Sequence, residues 1–505
     1  MNNQRINIGE IFLGEVDGES EAKRDDFNEL FYGDKEIYKQ LTDEDKFLVI
    51  GRKGTGKSFL GNYLNKRIQN KGEKYKSRIY TGKDLNLYRM IGLGQFEIDA
   101  KQGENIWEYV LLNIFAEMII EEKSLTKYIP FTGKNKLRRF LNDPEKNFKA
   151  TKFTQSTTSK FTASIKNKAT EVGADAQDRV NINFELKKYY ENLPKLKQLT
   201  INALSKSNIT LIIDDLDELR ICSKMDEYYS QCIANLINVS KHMNIELSCK
   251  TRGKNKIIIL LRDDIVEYLN ENDSNINKAI SNKFIKLDWW EKDKDKKPYE
   301  YRLMQMILLK VRKSTPEYKD MADGELYKLL FPKKVEGKEV INYLLDYSFG
   351  RPRDIIQYLN IVRDKERIKK TFDAASFKKY KKEYSEAFYR ELKNEISIHE
   401  RSELLKETIK LIQDFKRITF AYEDIEKYYT DRKENYTEIK DLKEALKEMY
   451  KLGVIGNTWN IPSKTQGAKP QHRVAWAYRD DNGSDLNLSK RMKVHNGLSK
   501  AFKLN

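Results

Sequence analysis

Eight consecutive residues, Gly51-Arg52-Lys53-Gly54-Thr55-Gly56-Lys57-Ser58, constrain this 505-residue chain more than any other stretch. They satisfy the pattern G-x-x-x-x-G-K-[ST], follow a short apolar run (FLVI, residues 47–50) and precede a helical pattern that starts at Lys57. A continuous apolar run closed by glycine is the signature of a strand buried on both faces of a parallel sheet. Strand, glycine-rich loop and helix together are the context a phosphate-binding loop requires. Glycines let successive backbone N–H groups approach a phosphate without side-chain collision, and the helix N-terminus adds positive dipole. Lys57 is expected to bridge β- and γ-phosphates and Ser58 to ligate Mg²⁺, so ATP or ADP with Mg²⁺ is the expected ligand pair.

Phosphoryl transfer also needs carboxylates, one for the metal and one to orient water. The run Ile209-Thr210-Leu211-Ile212-Ile213 ends in Asp214-Asp215. Asp214 is expected at the metal and Asp215 at the attacking water, with Asp217 and Glu218 as fallback bases. A third apolar run, residues 256–261, ends in Arg262-Asp263-Asp264; Arg262 could face a γ-phosphate or form a structural pair with Asp263. Further on, Gly350-Arg351-Pro352-Arg353 opens a helical pattern, and Arg353 at a helix start would project a planar guanidinium that Lys cannot imitate.

Strand and helix patterns alternate from residue 46 to about 290, as an α/β sheet requires, with further strands near residues 78–81 and 284–287. The chain then divides into a helical segment at 1–45, a core at 46–290, a helical lid and connector at 291–399 and a last domain at 400–505. Residues 131–200 interrupt the core, and within them 151–169 (TKFTQSTTSKFTASIKNKA) reads as a hairpin or loop. The last domain reads helix (402–415), helix (421–429), helix (438–452), strand (454–459), strand (473–478), the order of a winged helix-turn-helix.

The spacing of about 155 residues between loop and acids resembles the ASCE division of P-loop NTPases, in which an extra strand separates the two motifs. Arg262 after its strand, and Gly350-x-Pro352 before its helix, resemble the sensor and GxP positions of STAND and related AAA+ ATPases; Gly350-x-x-Arg353 also resembles the sensor site of origin-recognition and loader ATPases. The resemblance covers roughly residues 46–365, with a winged helix following, as is common in these proteins. It implies a P-loop NTPase fold with a parallel sheet flanked by helices, a helical lid and a C-terminal winged helix. It further implies a slow, Mg-dependent ATPase switch that assembles as a homo-oligomer and recruits a separate effector protein, many such kin acting in bacterial conflict with phages. No arginine finger can be picked out, and the 131–200 stretch lies outside the minimal core of that group.

The chain carries 94 Lys+Arg against 77 Asp+Glu, a formal charge of +17, which raises the question of nucleic acid. Drift with an A+T-rich genome accounts for part of it, since Lys far outnumbers Arg, but the excess is regional. Residues 131–170 hold ten basic residues against two acidic ones, and 457–505 hold nine against three. Lys464, Lys469, Arg473, Arg479, Lys490, Arg491 and Lys493, with His472 near Trp459, Trp476 and Tyr478, are the candidate DNA contacts. The alternative reading is therefore a DNA-binding initiator or loader ATPase; a third keeps nucleotide as a structural ligand. The four histidines show no metal spacing, and the longest apolar stretches fall short of a membrane span. Without a secretory pattern, and with Cys222, Cys232 and Cys249 reading as reduced, buried thiols, a cytoplasmic location without membrane contact is expected.

Overall fold

The computed structural model describes residues 6–33, 35–85, 100–121, 127–143, 191–205, 207–216, 226–272, 274–291, 296–397, 399, 401–461, 471–479 and 485–504. The chain forms two compact units, Gly33–Leu287 and Met1–Tyr32 together with Asp288–Asn505.

The first unit is built on a five-stranded parallel sheet of order β2-β3-β4-β1-β5. Its strands are β1 (Leu48–Ile50), β2 (Tyr75–Thr81), β3 (Asn208–Asp214), β4 (Lys256–Leu261) and β5 (Phe284–Lys286). The three apolar runs β1, β3 and β4 lie at the centre, buried along nearly their whole length. The strand β2 tolerates Lys76 and Arg78 because, among the described residues, only one neighbour pairs with it.

Alternation assigns the two faces. Ile209, Leu211, Ile213, Ile257, Ile259 and Leu261 pack beneath the helices Ala100–Ile120 and Asp226–Lys250, which are tied together where the Trp107 indole donates to Cys232 O at 2.9 Å. The opposite face meets the helix Lys57–Gln69. Its Gly61 lies so close that a Cβ there would sit 2.7 Å from Leu260 Cδ1. Both described ends of the interrupting segment join this core. The helix Gly133–Leu141, capped by Thr132, buries Leu137 and Phe140, and the helical residues 191–204 bury Leu196 and Leu204 completely. The stretch 151–169 lies outside the described residues. No described helix is long and apolar enough to cross a membrane.

In the second unit, Ile8, Ile11 and Leu13 join the core of the helices Arg302–Ser314, Val340–Tyr347, Pro352–Lys365 and Lys381–Ser397. The N-terminal stretch, separate in the sequence reading, is stitched there by Ile8 N–H to Lys369 O (2.7 Å) and Gly9 N–H to Arg367 O (3.0 Å). A fully buried ion pair, Lys310 with Glu21, adds a third tie.

The unit ends in the helices Ser402–Phe415, Tyr422–Thr430 and Leu442–Lys451 and an antiparallel sheet of order β6-β9-β7-β8. These strands are β6 (Thr419–Phe420), β7 (Ile455–Ile461), β8 (Gln471–Ala475) and β9 (Arg491–Val494). The third helix starts at Leu442 rather than at 438, because Asp441 caps it by accepting from Lys443 N (2.8 Å) and Glu444 N (3.4 Å). Strands β6 and β9 carry no clear sequence signal, being two and four residues long.

Candidate functional site

The glycine loop joins β1 to the helix Lys57–Gln69 at the carboxyl edge of the sheet, where ligands bind in open α/β folds. Gly54 (φ 83°) and Gly56 (φ 95°) occupy the left-handed region, which a side chain at either position would strain. The Thr55 hydroxyl donates to Arg52 O at 2.8 Å, and a Cβ on Gly51 would lie 2.6 Å from that hydroxyl oxygen. The Lys57 ammonium folds back across the loop, donating to Gly51 O at 2.7 Å and Arg52 O at 3.2 Å. The helix has no acidic residue in its first turn, so none of its own carboxylates offsets the positive end of its dipole, and Ser58 stands in that turn.

Strand β3 ends in Asp214, which is buried and accepts from Asp215 N–H at 2.9 Å. Asp215 adopts φ 51°, a left-handed conformation uncommon for a non-glycine residue. Asp217 and Glu218 lie outside the described residues. The strand that separates β1 from β3 in space is β4, whereas the sequence interval between the two motifs supplies the edge strand β2. Arg262, directly after β4, is therefore placed between the loop and Asp214.

The guanidinium of Arg262 is not paired with Asp263 as the alternative reading had it. It forms a two-pronged contact with Asp264, Nε to Oδ1 at 2.9 Å and Nη2 to Oδ2 at 2.8 Å. Asp263 turns inward instead. Burial raises its carboxyl above the usual range, against the opposing pull of Arg52, Lys57 and Arg262. The sheet thus gathers residues 51–58, Asp214, Asp215 and Arg262 along one edge.

Gly350, Pro352 and Arg353 belong to the second unit. Gly350 has φ 68°, and Pro352 is the first residue of its helix, where a missing N–H is harmless. The Arg353 guanidinium donates to Val16 O (3.3 Å) and to Glu391 (3.4 Å). Its neighbour Arg351, to which the sequence reading gave no role, is 3% exposed and sits between two buried carboxylates. It contacts Asp354 at 3.0–3.3 Å and Glu395 at 2.7 Å. Asp354 also accepts from Phe349 N–H at 2.9 Å, so this triad fixes the loop before Pro352. An acidic residue three positions after Arg351 was the available signal.

That loop is sealed from the C-terminal side. Phe349 packs on His495, Tyr478 and Phe388, with ring centroids 5.0, 5.2 and 4.6 Å away. His495 Nδ1 accepts from Gly497 N–H at 3.1 Å, so Nε2 carries the proton toward the Tyr478 hydroxyl at 2.9 Å. Tyr478 in turn donates to Ser348 O at 3.3 Å.

The candidate DNA contacts divide. Arg473 and Arg491 are exposed, and Lys490 lies 3.9 Å over the Trp459 ring, next to Arg473 in the β7–β8 register. Arg479 turns inward, donating to Leu345 O and lying 4.7 Å over Trp290, and so leaves the candidate set. Lys493 is half-buried, and burial lowers its ammonium pKa. Lys464 and Lys469 lie outside the described residues. Cys232 is buried, its thiol pushed up to about 12, whereas Cys249 is exposed, contrary to the expectation of buried thiols. Cys222 is outside the described residues, and among the described residues no group of three His, Cys, Asp or Glu could hold a metal ion.

The geometry defines a parallel α/β unit with a candidate site at the carboxyl ends of its strands, alongside a helical C-terminal region. Residues 301–393 of that region match the family described as FunZ-associated C-terminal helical domain. Over 334 residues the chain is 22% identical to a protein of Escherichia coli (strain K12) named "Putative transposon gamma-delta 80.3 kDa protein"; the match covers 63% of this chain and 42% of that relative.

Proposed function

We propose that the chain is an ATP-binding and ATP-hydrolysing switch of the STAND/AAA+ type, controlling a separate effector protein. The observation that carries this reading is the sheet order: β4, directly followed by Arg262, lies between the glycine-loop strand and the strand that ends in Asp214. The residues present suit the ligand. Gly54 and Gly56 keep the loop backbone open to a phosphate, and Ser58 and Asp214 are oxygen donors of the kind Mg²⁺ prefers. Bound Mg²⁺ would neutralise charge developing on the transferred phosphoryl group. Lys57 would exchange Gly51 O and Arg52 O for phosphate oxygens, Asp215 would orient water, and Arg262 would leave Asp264 to meet the γ-phosphate. The aromatic seal around Phe349 supports an intramolecular lock, since it couples the Gly350-x-Pro352 loop to the C-terminal sheet. Calorimetric titration of the full chain with Mg-ATP tests the base of the reading. Lys57→Ala should abolish binding, and unchanged affinity would end it.

A second reading, a DNA-handling ATPase, draws on the name of the transposon relative, on the exposed Arg473 and Arg491 and on Lys490 over the Trp459 ring. The three-helix and four-strand C-terminal arrangement suits a winged helix. Replacing those three cations by Ala should lower the slope of log K against log salt by about 2.7 for duplex DNA, at ~0.9 per phosphate contact. Arg479→Ala should leave the slope unchanged, and absence of binding at low salt removes the reading.

A further inference from the structure

At the amino edge of the parallel sheet, opposite the glycine loop, lies a cavity of about 440 Å³. Its walls come from residues 42–45 ahead of β1, the second half of the helix Asp226–Lys250, residues 251–255, the start of β4 and Lys283. Ligands of open α/β sheets bind at the other edge, so this space is not part of the candidate nucleotide site.

Its charges do not cancel. Five basic side chains line it, against Asp43, Glu44 and Asp45. Asp43 pairs with Lys254 and Asp45 with Lys283, while Glu44 pairs with Lys39, outside the cavity, at 3.4 Å. Lys241, Arg252 and Lys256 remain without a carboxylate partner among the described residues. The Lys241 ammonium donates to Lys278 O at 3.2 Å, and that of Lys256 to the backbone carbonyl of Glu44. Burial pushes the Lys256 ammonium down to about 8, although Asp45, Asp43 and Glu44 pull the other way. A half-buried ammonium whose hydrogen bond goes to a carbonyl rather than to a carboxylate is a group an added anion would stabilise.

The frame that presents these cations is already built. Arg252 N–H donates to Ser205 O at 3.0 Å, Lys254 N–H to Asn208 Oδ1 at 2.9 Å, and the Thr251 hydroxyl to Leu247 O at 2.7 Å. Gly253 passes so close to Ser207 that a Cβ would lie 1.7 Å from its carbonyl oxygen. Beside the cations, Ile245 is 52% exposed and offers an apolar wall.

We propose that this cavity is a second ligand site, taking a small organic anion whose phosphate or carboxylate group is met by Lys241, Arg252 and Lys256 and whose apolar part lies on Ile245. The cavity falls within the size range of small-molecule sites, about 300–1,000 Å³.

The test is calorimetric titration of the full chain carrying Lys57→Ala, so that phosphate binding at the glycine loop does not contribute, with inorganic pyrophosphate and with citrate as separate probes. We expect one site for at least one probe, weakened tenfold or more by Lys256→Met and by the exposed Arg252→Ala. Pyrophosphate alone assigns the phosphate class, and citrate alone the carboxylate class. The proposal is overturned if neither probe binds, or if Arg252→Ala and Lys256→Met, the latter checked for native folding, leave affinity unchanged. None of these outcomes depends on how ATP behaves at Lys57.

Discussion

Arg351 offers a sharp test of what holds the Gly350-x-Pro352 loop. Arg351→Met keeps the apolar stem and removes the guanidinium, leaving Asp354 (1% exposed) and Glu395 (8% exposed) as buried carboxylates without their shared cation. Removing one partner of a buried ionic group costs about 3–5 kcal/mol, chiefly because the remaining charge is stranded. For a unit of this size that corresponds to a melting-temperature fall of roughly 6–20 °C, at about 2–4 °C per kcal/mol. Neutralising the whole triad (Arg351→Met, Asp354→Asn, Glu395→Gln) removes the stranded charges while keeping an acceptor for Phe349 N–H. This variant should recover most of the loss. Urea unfolding followed by tryptophan fluorescence reads mainly the correct unit, since Trp289, Trp290, Trp459 and Trp476 lie in it and only Trp107 in the other. A loss below about 1 kcal/mol for the single variant, or a triple variant as unstable as the single, would refute the reasoning from buried charge.

Three further expectations follow from local geometry. Because the folded state releases the Lys256 proton near pH 8 and the unfolded chain near the ordinary 10.5, the unfolded state holds more protons between those values. Wild-type stability should therefore gain on that of Lys256→Met as pH rises from about 8 toward 10.5; unfolding midpoints measured at pH 7, 8, 9 and 10 should show the gap changing in that direction only. Gly497→Ala would place a Cβ 2.4 Å from the backbone carbonyl oxygen of Tyr347 and should loosen the seal on Phe349. Faster amide exchange at residues 348–350 is the expected signature, and unchanged protection there would count against it. In native alkylation mapped by mass spectrometry, Cys249 should react within minutes while Cys232 waits for denaturant; equal labelling would contradict their burial.

The sequence made the centre of the sheet legible because β1, β3 and β4 are buried on both faces and so are written as unbroken apolar runs. The glycine loop was legible because its backbone conformation demands residues at fixed offsets. Side-chain partners were harder to read. Arg351 and Arg353 flank the same proline, and the local hint that Arg351 turns inward is Asp354, three positions on; its second carboxylate, Glu395, lies 44 residues away and shows only once the chain is packed. Arg262 reached Asp264 rather than Asp263 because Asp263 faces the loop cations Arg52 and Lys57. Arg479 looked like part of a basic surface because charge alone does not reveal that Trp290 and Leu345 O lie beneath it. Short strands such as β9, whose Met492 and Val494 alone face inward, leave too little alternation to be seen.

The second unit is discontinuous: its first strap, residues 6–32, is synthesised before Gly33–Leu287, and its remainder after. At typical elongation rates the ribosome needs on the order of tens of seconds to cross the intervening segment. Throughout that interval Lys369, Arg367 and Lys310, the partners of Ile8, Gly9 and Glu21, do not yet exist, and neither does the core that buries Ile11 and Leu13. The growing chain thus holds an apolar strap whose partners are still to be made, and closing the second unit is a late event that waits for the residues from Asp288 onward. A fragment starting at residue 33 would lose this closure outright, and supplying residues 6–32 as a separate peptide would be the direct way to restore it.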